Sequence, residues 1–308
     1  MINYAIRRIL QAILVILGVT MAAFSINFLA GDPTYALLGD LRGLSNQDIQ
    51  DFRHRMGFDR PIPEQYLDWL NKAVHGDFGM SIKYREPNWK VIMERFPATM
   101  KLAGSALLLG LLVSIPLGIV AAVNRGSIWD RISMVVALVG QSMPSFWMGL
   151  MLMLIFAVWL GWFPVSGSYE GWRSMVLPVL TLSFYDIARN TRIIRGSLLE
   201  ILGEDYVRTA QAKGQTPGRV LFDHALRNAL IPLITLIGID LGSLLGGALI
   251  TETIFAWPGM GVLTVNAING KDLSLMQACV TMFAVTFVLA NLLVDFTYTY
   301  LDPRVRLQ

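Results

Sequence analysis

The sequence predicts an all-α integral membrane protein with six transmembrane helices, both termini cytosolic, and a small helical external domain between helices 1 and 2. Composition comes first: 54% of the 308 residues are hydrophobic and 15% charged, against about 45–50% and about 25% in soluble domains. Mean hydropathy is +0.53. The second observation is the spacing of charge-free runs, and the third is the uneven placement of basic residues around them.

The spans follow in order. No Asp, Glu, Lys or Arg interrupts residues 9–31 or 102–124, two windows of 23 residues each, where about 20 apolar residues suffice to cross the hydrocarbon. After Arg131 comes an uncharged run of 38 residues, enough for one long tilted helix to about Leu160, kinked near Pro144. A weaker fourth span starts near Val176 and carries Asp186 and Arg189 in its second half. The fifth runs from about Ala229 to Thr251 with Asp240 inside it, and the sixth from about Leu275 to Tyr300. Two arginines before an apolar run also begin a secretory leader, but the first run exceeds a usual leader core and "FLAGDP" is a poor cleavage site, so this span is expected to be retained.

With six spans, Arg7, Arg8, Arg125, Arg131, Arg304, Arg306 and seven basic residues from Arg189 to Arg227 share one side, whereas the opposite short loops hold only Arg173 and Lys271. Basic residues accumulate on the cytosolic face. The net charge of +3 is therefore topological, and nucleic acid is excluded as a partner. Single Cys279 lies in an apolar run and is expected to pack in a core.

Residues 30–98 form the external region. "LSNQDIQDFRHRMGFD" and "IPEQYLDWLNKAVHGDFG" space apolar residues helically, with Ile49, Phe52 and Met56 in one and Tyr66, Leu67, Leu70 and Val74 in the other. Pro61 and Pro63 separate the two, and Gly76 and Gly79 close the second. His54 and His75 lack the Cys or carboxylate spacing of a metal site and read as surface or packing residues. Asp186 and Asp295 are placed near the cytosolic ends of their spans, where interfacial water solvates them, and Met143, Met148, Met151 and Met153 read as lipid-facing or packing residues.

Between spans four and five lies "EDYVRTAQAKG", from Glu204 to Gly214. Leu198, Leu199, Leu202, Tyr206 and Ala210 make one apolar stripe opposite Glu204, Arg208 and Gln211. Gly214 supplies a left-handed stop, and Thr216 with Pro217 starts a second helix that runs into span five. A basic amphipathic segment can lie on the membrane surface. The acidic pair Glu204 and Asp205, the small residues Ala210, Ala212 and Gly214, and the rigid connection to span five favour a turn clasped by another protein.

"RTAQAKG" at 208–214 resembles the E-A-A-x-x-x-G signature of ABC importer permeases, with Arg208 where the signature has glutamate. With "HALRNALIPLIT", "LGSLLGGALITETIFAWPGMG", "GDP" at 31–33, "GDFGMS" at 76–81, "LPVLTLS" at 177–183 and "LDPRVR" at 301–306, the whole chain is similar to the B-type membrane subunit of dipeptide, oligopeptide and nickel importers. Pro232 lies 18 residues beyond Gly214, later than in the broad signature and as the peptide and nickel branch tends to have it. Glu204, four residues before Arg208, is a candidate for the role of the missing glutamate.

The resemblance implies the type I importer membrane fold in a bacterial plasma (inner) membrane, divided into 1–29, 30–98 and a permease core 99–308 with a cytosolic coupling region 196–228. Its implied partners are a second, C-type permease subunit as heterodimer, two ATP-binding subunits carrying ATP and Mg, an external substrate-binding protein and the lipid bilayer. Cargo would be di- or oligopeptides, with nickel, glutathione-like peptides or glycosides as alternatives. Glu204, Asp205, Tyr206, Arg208, Thr209, Ala210, Ala212, Lys213 and Gly214 would form the ATPase-coupling helix. No G-x-x-x-x-G-K-[ST], H-E-x-x-H or G-x-S-x-G occurs, so neither an ATPase site, a catalytic constellation nor a bound cofactor or metal is expected in this chain. Asp240, Ser243, Gly246 and Gly247 are the candidates for path or gate. Asp240 is costly in hydrocarbon and meets either cargo or a neutralising helix, while "GSLLGG" suits either a gate or close packing. An ion-coupled secondary transporter would explain six spans and Asp240, but not the cytosolic helix-turn-helix.

Overall fold

The computed structural model describes residues 2–30, 34 and 46–301. The stretches 31–33 and 302–306, and the side chains of Phe52, Met56 and Asp295, lie outside the described residues. Those described are helical without a strand, apart from one isolated antiparallel bridge between Met80 and Pro87. Met1–Thr99 with Pro258–Leu289 form one compact unit, and Met100–Trp257 with Ala290–Gln308 a second.

In the first unit, α1 (Ile2–Ala30) presents Ile9, Leu10, Ile13, Leu14 and Met21 outward. On its other face Thr20 meets the Tyr66 hydroxyl at 2.9 Å, and Phe24 packs edge-on against the Tyr66 ring. Tyr66 belongs to α3 (Ile62–Val74), which follows α2 (Asn46–Met56). Leu67 and Val74 are exposed, and no residue of α3 is fully buried, so the expected stripe is half-covered at Tyr66 and Leu70 only. His54 pairs with Asp59 at 2.6 Å and His75 donates to the Asn71 carbonyl at 2.7 Å. The His54 ring holds the Asp59 carboxyl below its ordinary range.

Residues 76–99 do not stand apart as a cap. Val91 and Ile92 at the start of α4 (Asn88–Val123) join Met260, Leu263 and Ala267 of α12 (Met260–Asn269) and Leu275, Ala278 and Cys279 of α13 (Leu273–Leu301) in one buried core. Cys279 is thus a core residue. The hub is Asp272, wholly buried, whose carboxylate accepts from the Ser81 hydroxyl at 2.6 Å, the Lys83 N–H at 3.2 Å and the Leu275 N–H at 3.1 Å. Gly79, at φ +81°, passes so close that a Cβ would lie 2.9 Å from Ser274 Oγ. That explains the "GDFGMS" stretch in packing terms. Asp272→Ala is expected to lower stability by about 2 kcal/mol, because three donors lose a charged acceptor. Thermal unfolding in detergent measures it, with Asp272→Asn expected to fall between the two.

In the second unit, α7 (Trp172–Leu202) packs against α5 (Ile128–Ser142), α6 (Ser145–Leu152) and α11 (Ile231–Ile254). The third span is expected to be one kinked helix. Instead α5 and α6, the latter continued by a π-helix at Met153–Trp159, meet at 108°. Pro144 drives Met143 out of the helical region, to φ −87° and ψ 130°. Met143, Met148, Met151 and Met153 are half-buried, and Met153 packs beside Ala157, Leu177 and Phe255.

Among the described residues four helices are long and apolar enough to cross a membrane, Ala5–Asn27, Asn88–Val123, Pro217–Gly238 and Leu273–Val294, with α5 and the α6 segment a fifth if the bent pair is one span. α7 is too polar to be among them, for a physical reason. Ser174, Thr181, Ser183, Asp186, Asn190 and Thr191 are buried within the protein, so these polar groups face protein in place of lipid.

Candidate functional site

The 204–214 segment folds in three steps. After α7 ends at Leu202, Gly203 and Glu204 break the chain direction, so the expected apolar stripe is divided between α7 and α8 (Asp205–Ala212). Val207 and Ala210 of α8, 0% and 7% exposed, pack against Val220, Ile201 and Leu202. The helix then closes in a Schellman motif: Gly214, at φ +77°, donates to the Gln211 carbonyl at 2.9 Å and Gln215 to the Ala210 carbonyl at 3.3 Å. The left-handed stop read from Gly214 is therefore present.

Thr216 and Pro217 open the next helix, although the Thr216 side chain makes no capping bond. It passes from Pro217–Arg219 (α9) through a π-helix at Val220–Ala225 to α10 (Leu226–Ala229). Two bonds tie the α8 turn to it: Asn228 Nδ2 donates to the Tyr206 hydroxyl at 2.9 Å, and His224 Nε2 to Gln215 Oε1 at 2.7 Å. Glu204, Asp205, Arg208, Thr209, Gln211, Ala212, Lys213 and Gly214 are left exposed. The small outer surface expected from Ala210, Ala212 and Gly214 needs correcting, because Ala210 faces inward and Ala212 with Gly214 remain. The Arg208–Asp205 contact at 3.7 Å is solvent-exposed and contributes little.

A second cluster lies where α7 meets α11. Asp240 is 0% exposed. Arg189 Nη2 donates to its Oδ1, and Asn190 Nδ2 donates to its Oδ2 at 3.2 Å. Asp186 Oδ1 lies 3.8 Å from the same guanidinium, which also sits 5.8 Å from the Tyr185 ring centroid. Asp240 thus has a cationic partner on a neighbouring helix. The geometry corrects the placing of Asp186, which is 4% exposed and solvated by Arg189 rather than by interfacial water.

The remaining path candidates divide. Ser243 and Gly246 lie three apart on an exposed face of α11, with open space where a Gly246 Cβ would be, whereas a Cβ on Gly247 would meet Leu182 of α7 at 3.1 Å. Asp240 and Gly247 thus lie against α7, and Ser243 and Gly246 are exposed.

A third pair was not legible in the sequence. Asp130, in the first turn of α5, accepts from Arg195 Nε at 2.5 Å and Nη2 at 2.9 Å and from the Gly126 N–H at 2.9 Å. Arg195 and Arg189 count only as topological charges in a linear reading. Nothing local marks their partners, 65 and 51 residues away. Among the described residues no group of three or more His, Cys, Asp or Glu is arranged to hold a metal ion.

Two family models cover most of the chain: the N-terminal membrane component of binding-protein-dependent transport systems over residues 1–103, and the inner membrane component of such systems over residues 114–307. Curated relatives span it end to end. The di/tripeptide transport system permease protein DppB of Pseudomonas aeruginosa is 38% identical, covering 100% of both chains, and the dipeptide transport system permease protein DppB of Escherichia coli K12 is 38% identical, covering 99% of each. The glutathione transport system permease protein GsiC of E. coli K12 is also 38% identical over 99% of both. Among solved structures, a chain of the inward-facing MetNI methionine ABC transporter superposes with a TM-score of 0.59 at 17% identity, over 69% of this chain and 96% of that one. This supports the fold alone. The chain is a multi-pass bacterial inner-membrane protein and belongs to the family of binding-protein-dependent transport system inner membrane components.

Proposed function

We propose that this chain forms half of the translocation pathway of an ATP-driven importer of di- and oligopeptides. A C-type permease forms the other half, two ATP-binding subunits hold ATP and Mg, and an external binding protein delivers cargo. Peptide cargo is supported by the names of the full-length relatives, which transport dipeptides, tripeptides and glutathione. The observation that carries the reading is α8, an exposed polar helix closed by a glycine turn and bonded to the helix that leads into α11. Glu204 has an exposed carboxylate that makes no capping bond, and it takes the role of the signature's glutamate toward an ATPase subunit. Ser243 and Gly246 face the second permease and the path.

Topology supports six spans with cytosolic termini. The bonds from Ser81 and Lys83 to Asp272 support a shared side of the membrane for residues 76–87 and 270–275. That requires an even number of crossings between them, which the proposal assigns to α4, the α5–α6 pair, the polar but protein-packed α7, and α11. The external region then comprises 30–98 with 258–272, and the coupling region 196–228 lies in the cytosol.

The test is reconstitution with the candidate partner subunits in vesicles and uptake of a labelled dipeptide. Uptake is expected only with ATP, the ATP-binding subunits and the binding protein together. Uptake that persists without ATP and follows an ion gradient would instead establish secondary transport.

A further inference from the structure

Helices α4, α5 and α7 enclose an apolar cavity of about 140 Å³, lined by Leu117, Ile132, Val136, Phe184, Ile187 and Thr191 among others. Ile132 and Val136 are each 48% exposed, so the cavity opens sideways along the helices. Its long axis has a direction. Asp130 pairs with Arg195 at one end, a Cβ on Gly118 would touch Ile194 and the Thr191 carbonyl a turn deeper, and one on Gly140 would touch Ala188 and Phe184 deeper still. Leu117, Ile132 and Thr191 therefore lie toward the Asp130 end, and Val136 and Phe184 toward the interior.

That end is strongly basic. Arg131 precedes Ile132, and Arg192 follows Ala188 by four residues and so continues its helix stripe. Both are exposed, and neither forms an ion pair among the described residues. The nearby carboxylate of Asp130 is already occupied by Arg195 and the Gly126 N–H. Trp129, 63% exposed, stands one turn from Ser133, where an indole suits the membrane interface. Between the basic end and the apolar interior, Thr191 is 2% exposed and its hydroxyl has no hydrogen-bond partner among the described residues. A buried hydroxyl usually finds an acceptor.

We propose that this groove is a binding site for one anionic phospholipid. An acyl chain lies along Val136 and Phe184, the glycerol ester carbonyl accepts from the Thr191 hydroxyl, and the phosphate sits against Arg131 and Arg192. The order of groups along the groove, cation, lone hydroxyl donor, then hydrocarbon wall, matches the order in the lipid from headgroup to tail. Basic pockets between membrane helices select acidic headgroups on this principle. The site lies in the leaflet that the sidedness reading makes cytosolic.

The experiment is native mass spectrometry of the full chain, delipidated in detergent and titrated with phosphatidylglycerol or phosphatidylcholine of identical tails. One tightly retained phosphatidylglycerol is expected, and Arg131→Gln with Arg192→Gln should weaken it by on the order of 10- to 30-fold. Val136→Trp, which fills the mouth and leaves every charge in place, should abolish retention, with circular dichroism confirming unchanged helix content. Equal retention of the two lipids, or unchanged retention in either variant, overturns the site. Lipid retention is read on the chain itself, so its loss and a failure of peptide uptake are separable.

Discussion

Arg189→Met is expected to destabilise the protein by about 3–5 kcal/mol, because it removes one partner of a buried charge pair and leaves the other uncompensated. Asp240, fully buried, would keep only the Asn190 amide as side-chain donor among the described residues, at 3.2 Å, and Asp186 would lose the cation 3.8 Å from it. Solvation that normally comes from water cannot replace the guanidinium in a water-poor helix interface. Asp240→Leu alone should cost less, since Arg189 retains Asp186 and the Asn190 carbonyl oxygen. The double variant Arg189→Met with Asp240→Leu should recover part of the loss, and adding Asp186→Asn should recover more, because each step removes a stranded charge. Thermal unfolding of the four variants in detergent measures the series. Strict additivity of the single changes would show that the three groups do not act as a unit.

The second large effect concerns α8. In the reconstituted importer, Ala212→Trp is expected to lower ATP-driven peptide uptake by more than about tenfold, since a bulky ring on the exposed side of the turn blocks close approach of a partner. Ala212 is solvent-facing, so the chain's own packing is untouched and its unfolding midpoint should not move. Ala210→Trp is a contrasting variant. It should unfold the turn itself, because Ala210 is packed against Val207 and Val220. Uptake at the unsubstituted rate in Ala212→Trp would remove α8 as the coupling element. Glu204→Gln should reduce uptake with ATP binding to the partner subunits unchanged, as expected for a carboxylate that acts across an interface.

A mechanical consequence follows from the two ion-pair clusters. Arg195 ties α7 to α5 through Asp130, and Arg189 ties α7 to α11 through Asp240. α8 hangs between α7 and the helical turns that lead into α11. Displacement of α8 would therefore load α5, α7 and α11 together.

Much of this protein is determined by its sequence alone. Charge-free runs near the thickness of the hydrocarbon place α1, α4 and α13, because transfer of charge into lipid is costly wherever it occurs along a chain. The stop at Gly214 and the start at Pro217 are likewise legible, since a positive φ and a missing N–H are properties of single residues. The fold of α7, the 108° break at Pro144, the inward turn of Ala210 and the joining of residues 76–99 to 258–289 were decided only by tertiary structure. Hydropathy weighs each residue against water or lipid, and it cannot see that Asp186, Arg189 and Asp240 solvate one another. That compensation exists only once helices 51 residues apart in sequence are packed side by side.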